Sequence, residues 1–280
     1  MGPLSAGPNA ILQPGVISAI PPRYTAVPDG LILYFGFDAD CVDFTASTAI
    51  DLTRNNSGPL TNLPASSLVN GMVGHGLSFN GTGGGGQSSI TLGSSILSTT
   101  TFTFSVWLYP TLAFGGSYNT IFSAGTVQGF WLHNNKFDYF TTGDNFNNTT
   151  VPSSQWTHLA LTAGGGTGRF YFNGVADGTM STPTSVSYAN IGSDSPGGGS
   201  DPYGGTMDDL RFYNRTLDAT EIMQLYYAGF ISGRRDAGPL LPPEADMMTM
   251  QPPAGAVAVV FKKTLSLIGT AVGRRQVQAS

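Results

Sequence analysis

Charge is what this sequence has least of. Lys, Arg, Asp and Glu make up 10% of its 280 residues, against about a quarter in an average soluble chain. A surface with so few charges has to be covered by Ser, Thr, Asn and Gly, which suits extracellular or particle-surface β-proteins. Basic residues are the scarcer kind, 12 against 17 acidic, for a net charge of −5. That balance offers no clustered basic face and so argues against a nucleic-acid partner. Cysteine occurs once, at Cys41, so no internal disulfide can form. Nothing basic flanks Cys41 to lower its pKa, and its place after an apolar strand predicts a buried, inert thiol. Long apolar runs are missing as well. The run Ala256–Phe261 is broken by Lys262 and Lys263, well short of the ~20 residues that cross a bilayer. No basic stretch leading into an apolar core marks a signal peptide. The expectation is therefore either a signal already removed from this sequence or export by another route, such as assembly on a virus particle.

Proline and glycine are abundant and divide the chain. Residues 1–29 carry Pro3, Pro8, Pro14, Pro21, Pro22 and Pro28, a spacing that blocks regular structure and favours extended chain. Residues 232–280 form a second such arm, with Pro239, Pro242, Pro243, Pro252 and Pro253. Between them, residues 30–231 hold 13 acidic and 5 basic side chains, whereas the second arm holds 6 basic and 3 acidic. The opposite signs predict that the tail meets a different neighbour from the body's. Ala256–Phe261 has strand composition, and an isolated strand gains most by adding to another sheet's edge. Both arms are thus expected to contact other protein chains.

The body reads as short strands separated by turns. Leu31–Phe37, Gly76–Phe79, Ser89–Leu92, Phe102–Tyr109, Thr157–Thr162 and Arg169–Phe172 are rich in β-branched and aromatic residues, the signature of a sandwich or jelly roll. Gly81–Gly86 spells G-x-G-x-x-G, but a strand-like segment follows where a phosphate-binding loop needs a helix. A single helical turn is expected at Asp218–Glu221, with Asp218 as N-cap and Glu221 closing a capping box.

Four motifs then occur in order. Phe104–Pro110 reads FSVWLYP, Gln155–Ala160 reads QWTHLA, Arg169–Gly174 reads RFYFNG, and Gly205–Leu217 reads GTMDDLRFYNRTL. Together they resemble the laminin-G-like, concanavalin A-like lectin/glucanase domains, over about residues 30–229. The resemblance implies an all-β, antiparallel jelly-roll β-sandwich, with Trp107 and Trp156 in its core and extended N- and C-terminal arms outside it. It also implies a calcium ion near the first and last strands, with Asp38, Asp208 and Asp209 as ligands, since calcium collects 6–8 oxygens. Glycosidases of this fold carry paired glutamates on one strand face. The body has only Glu221, on the expected helical turn. The expectation is accordingly not an enzyme.

The histidines are His75, His133 and His158. They lack the H-x-x-x-H spacing of a zinc site, and no G-x-S-x-G elbow is present. His158 falls in the second motif, where a structural role is expected, and a Ser-His-Asp triad is left open. Trp131 falls outside the family's core positions. Asn134-Asn135 predicts a two-residue hairpin turn, which pairs 133 with 136, 132 with 137, 131 with 138 and 130 with 139. One face is then Phe130, Leu132, Phe137 and Tyr139; the other is Trp131, His133, Lys136 and Asp138. A ring beside donors and acceptors suits a sugar, so the second face is the expected carbohydrate site. The function expected from all this is a structural or binding protein of a surface assembly, virion or extracellular. A decoration or fibre protein fits, and so does a secreted carbohydrate-binding module or adhesin.

Overall fold

The computed structural model describes residues 27–232, apart from residue 99 and segments 112–116, 126–127, 182–185 and 196–200. The chain divides into two compact units, Met1–Pro239 and Leu240–Ser280, and every described residue lies in the first. Residues 1–26 and 233–280, with the strand expected at Ala256–Phe261, lie outside the described residues.

The strands run β1 (Leu31–Phe35), β2 (Val42–Asp43), β3 (Thr48–Ala49), β4 (Gly58–Thr61), β5 (Leu68–Asn70), β6 (His75–Asn80), β7 (Ser89–Ser98) and β8 (Phe102–Pro110). There follow β9 (Asn119–Ser123), β10 (Gly129–His133), β11 (Lys136–Phe140), β12 (Thr157–Gly164), β13 (Thr167–Phe172), β14 (Val175–Ser181), β15 (Val186–Ile191) and β16 (Gly204–Tyr213), and then one helix, α1 (Ala219–Ser232). One sheet has the order β14-β13-β12-β8-β16-β6-β5, with β1 also on β16; the other runs β11-β10-β9-β15-β7-β4-β3-β2. The pairing is antiparallel, as between β8 and β16 or β10 and β11. This is the jelly-roll β-sandwich that the motifs imply.

Alternation along the strands fills the space between the sheets. In β8, Phe102, Phe104, Val106 and Leu108 face inward and join the main core, as a period of two requires. Across the gap, Phe104 stacks on Phe130 with ring centres 4.1 Å apart. The outward residues of β8 are buried too, because α1 covers that face. Ile222 and Leu225 pack with Ala160, Tyr171 and Tyr213, and Trp107 stacks on Tyr226 at 5.5 Å.

The helix is longer than the single turn expected. Its start is as expected: Thr220 and Glu221 donate their backbone N–H to Asp218 Oδ1 at 2.8 and 2.9 Å, and Asp218 N–H donates to Glu221 Oε2 at 2.9 Å. It continues because Ile222, Leu225, Tyr226 and Gly229 recur on one face and meet the sheet. Val27, on the arm side of the expected boundary, packs in the same cluster. Cys41 is buried as expected, beside Tyr34. Trp107 is buried, but Trp156 is only partly so; it leans on Tyr109 with ring centres 5.6 Å apart at the margin of the sheet.

Candidate functional site

The β10–β11 hairpin has the expected register, with Trp131 opposite Asp138 and His133 opposite Lys136. Asn134 and Asn135 take φ of 51° and 56°, the left-handed pair that a tight hairpin turn needs. Phe130, Leu132, Phe137 and Tyr139 enter the core. The other face is where expectation and structure part. Trp131 is 3% exposed, and its indole N–H donates to Thr120 Oγ1 at 2.9 Å. Tyr118 and Phe140 close over it edge-on, at 6.0 and 5.7 Å. Asp138 is fully buried and His133 nearly so. Lys136 turns its ammonium away, donating to the carbonyls of Asn147 and Asn148. Trp131, His133, Lys136 and Asp138 therefore do not form an open sugar platform. The chain after β11 folds back, bridging Phe146 to Asp138, and covers the face.

The aspartates at the other end of the sandwich are set by a change of partner along β16. Met207 pairs with Leu77 of β6, and Leu210 with Phe35 of β1. Asp208 and Asp209 fall between, where the register to β8 shifts, and Asp209 takes φ of 50°. Val73 N–H donates to Asp208 Oδ2 at 2.7 Å, and His75 N–H to Asp38 Oδ1 at 2.9 Å. A Cβ on Gly71 would lie 2.5 Å from Asp208 Oδ2, so the chain passes too close for a side chain there. Asp208 Oδ1 is buried without a hydrogen-bond partner. Burial first, then Asp209 and Asp38, push the Asp208 carboxyl well above the usual carboxylate range. Asp209 departs from the expected trio. Its Oδ1 accepts from Tyr34 OH at 2.6 Å and Arg211 Nη2 at 2.9 Å, and the guanidinium lies 4.3 Å over the Tyr34 ring. Arg211 balances that carboxylate, so Asp38 and Asp208 fit a cation and Asp209 does not.

Of the triad left open by the sequence, only a Ser–His pair is seen among the described residues. Ser105 Oγ lies 2.9 Å from His158 Nε2, like a nucleophile and its base. Both are buried beneath Trp107, whose ring centre is 5.2 Å from the imidazole's. Burial drives the His158 pKa down to about 3, and its Nδ1 has no hydrogen-bond partner. The third member that would orient the ring is missing from this contact.

A surface groove stands apart from all of these. A cavity of about 480 Å³ is bordered by Asn62, Ser66, Ser67, Ser78, Asn80 and Ser88. The asparagines are committed to holding the Gly-rich loop in place. Asn62 Nδ2 donates to Gly85 O and Gln87 O at 3.2 and 3.0 Å, and Asn80 Nδ2 to Gly86 O at 2.9 Å. Thr82 N–H and Ser88 N–H in turn donate to Asn80 Oδ1 at 3.0 and 3.2 Å. Ser66 and Ser78 line the same space, and their hydroxyls make no hydrogen bond to another described residue. Sequence reasoning missed this groove. Its residues are spread over 27 positions, from 62 to 88, in a chain where Ser and Asn are common everywhere.

Residues 84–223 match the family model described as the concanavalin A-like lectin/glucanases superfamily. No curated protein matches the chain. Among solved structures, domain 4 of AbnA, a GH43 extracellular arabinanase from Geobacillus stearothermophilus, is seen in complex with arabinotriose. It is similar with a TM-score of 0.55 and 22% identity, over 70% of this chain and 98% of that one. The binding domain of Paraclostridial Mosquitocidal Protein 1 gives 0.54 and 18%, over 72% of this chain and 53% of that one. A Trypanosoma rangeli sialidase in complex with 2,3-difluoro-KDN gives 0.53 and 18%, over 78% and 36%. The chain thus spans about half of the second and a third of the third. At these identities the likeness is one of fold. It also corrects an expectation: the same fold lies within chains from an arabinanase and a sialidase, so it gives no positive sign that this chain is not an enzyme.

Proposed function

Because the chain belongs to the concanavalin A-like lectin/glucanases superfamily, we propose that it binds carbohydrate, in the groove between Asn62 and Ser88. The observation that carries the reading is the groove's lining. It is concave and bordered by hydroxyl and amide side chains together with Pro64 and Gly86, and its asparagines are already fixed by the loop they hold. Groups held in place before binding lose little freedom on binding. The uncommitted hydroxyls of Ser66 and Ser78 can exchange water for sugar hydroxyls at little enthalpic cost. A similar domain is described holding arabinotriose, which makes arabino-oligosaccharides the first ligands to try. The test is a glycan array supplemented with arabinose oligomers. Binding by the wild type that is lost in Ser78→Phe, with the fold intact, supports the reading. No binding across the array overturns it.

The reading includes a calcium ion at Asp38 and Asp208. What supports it is the buried, donor-free Asp208 Oδ1 and the second carboxylate near it. The ion would supply positive charge beside Asp208 Oδ1 and so tie β1 and β6 to β16. Display on a virus particle or other extracellular surface, through the arms 1–29 and 232–280, also belongs to the proposal. Its support is the charge-poor body and the basic, Pro-containing tail. A protein ending at Ser232 that keeps its fold and still assembles with its partner would remove the C-terminal arm from it.

A further inference from the structure

We propose that His133, Asp138 and Asp144 form a binding site for a divalent transition metal of the zinc type. His133 ends β10, Asp138 lies in the middle of β11, and Asp144 follows in the chain that folds back. Among the described residues, these are the three metal-ligating side chains that come together, with one ligand atom of each within 4.8 Å of the others. His133 Nδ1 lies 3.9 Å from Asp138 Oδ2 and 3.6 Å from Asp144 Oδ1.

The cluster differs from an ordinary acidic patch in what is buried and unpartnered. His133 Nδ1 and Asp138 Oδ2 are both sealed from solvent, and neither has a hydrogen-bond partner. Buried polar atoms nearly always find a partner. Here two such atoms from neighbouring strands face each other at 3.9 Å, too far apart to bond one another. The nearest lysine is engaged elsewhere, since Lys136 donates to the carbonyls of Asn147 and Asn148.

The remaining atoms hold the ligands in position. Asn145 N–H donates to Asp138 Oδ1 at 2.8 Å, which aims Oδ2 at the histidine. Tyr118 OH donates to Asp144 Oδ1 at 3.0 Å, and the Tyr118 ring lies against the imidazole with centres 3.8 Å apart. Phe146 flanks the imidazole from another side at 5.7 Å. Such outer contacts orient ligands and commonly change metal affinity by about 10–100-fold.

The donor set chooses the ion. An imidazole nitrogen with two carboxylates suits zinc, nickel or copper rather than calcium or magnesium, which take oxygen. Bonds of about 2.0–2.2 Å in a tetrahedron put ligand atoms roughly 3.4 Å apart. The separations of 3.6 and 3.9 Å from the histidine, with all three ligand atoms within 4.8 Å of one another, close to this by an inward turn of the side chains. Three protein ligands leave a fourth position, for water or an oxygen of a bound molecule. The Asp144 side chain is 30% exposed, so the cluster reaches solvent at that residue. None of the groove residues takes part, so this site and the carbohydrate reading stand or fall separately.

The test uses the full chain, stripped of metal with EDTA and returned to a calcium-containing buffer. Zinc chloride is titrated in, with calorimetry and intrinsic tryptophan fluorescence as readouts. One equivalent should bind with micromolar affinity or better. Asp144→Asn, at a partly exposed position that does not disturb the fold, should weaken binding at least roughly tenfold, and His133→Gln should do the same or more. If His133→Gln fails to fold, Asp144→Asn decides. No uptake below millimolar zinc, or equal uptake by a folded Asp144→Asn protein, overturns the site.

Discussion

His158 is held neutral by its surroundings. Its Nε2 meets Ser105 Oγ, the Trp107 ring covers it, and burial sets its pKa near 3 against the ordinary 6.5. The unfolded chain takes up a proton at this residue below about pH 6.5, while the native chain does so only near 3. The stability that depends on the neutral ring is therefore complete above pH 6.5. It is lost as pH falls toward 3, by up to about 1.4 kcal/mol per pH unit. Urea unfolding of the wild type should show this acid loss, and His158→Gln should show a shallower one. Parallel curves would mean the ring is not sealed. Single residues also show where sequence reading stops. Asn134-Asn135 fixes the register of Trp131, because the turn type is a local property of those two residues. The burial of Trp131 is not local. It depends on Tyr118 and on the chain beyond Phe140, which no pattern within the hairpin reveals. Asp209 is similar: the motif places it beside Asp208, but Arg211 two residues on takes its charge.

At the scale of elements, α1 and the β16 junction give separate tests. Asp218 caps two N–H groups of α1, so Asp218→Ala should cost about 1 kcal/mol. Leu225 is buried between the helix and the sheet, so Leu225→Ala should cost roughly 2–5 kcal/mol. If both melt like wild type, the helix contributes nothing to the sandwich. The cap was legible because it is a four-residue pattern. The helix length was not, because it is decided by a sheet face assembled from distant strands. At the junction, calcium held by Asp38 and Asp208 should raise stability. A ~1,000-fold excess over the dissociation constant adds about 4 kcal/mol. Melting in calcium and in EDTA should differ for the wild type and coincide for Asp208→Asn. Coinciding curves for the wild type remove the ion.

The whole molecule is a sandwich whose four strand motifs can be read in order along the chain. Each belongs to a core strand, and alternation makes the inward side chains of such strands predictable, as with Phe104 and Val106. The groove is a property of the assembled surface. It forms where the chain after β4, the strand β6 and the Gly-rich loop before β7 meet, and its serines look like any others in the sequence. That is why the expected sugar face fell on a conspicuous tryptophan and the structure moved the candidate elsewhere. The measurement that tests the groove most directly is a backbone-amide NMR titration of the full chain with arabinotriose or the strongest array ligand. The account predicts shifts that saturate and cluster at Asn62, Ser66, Ser67, Ser78, Asn80 and Ser88. Saturable shifts centred elsewhere on the sandwich, or none at all, would contradict it.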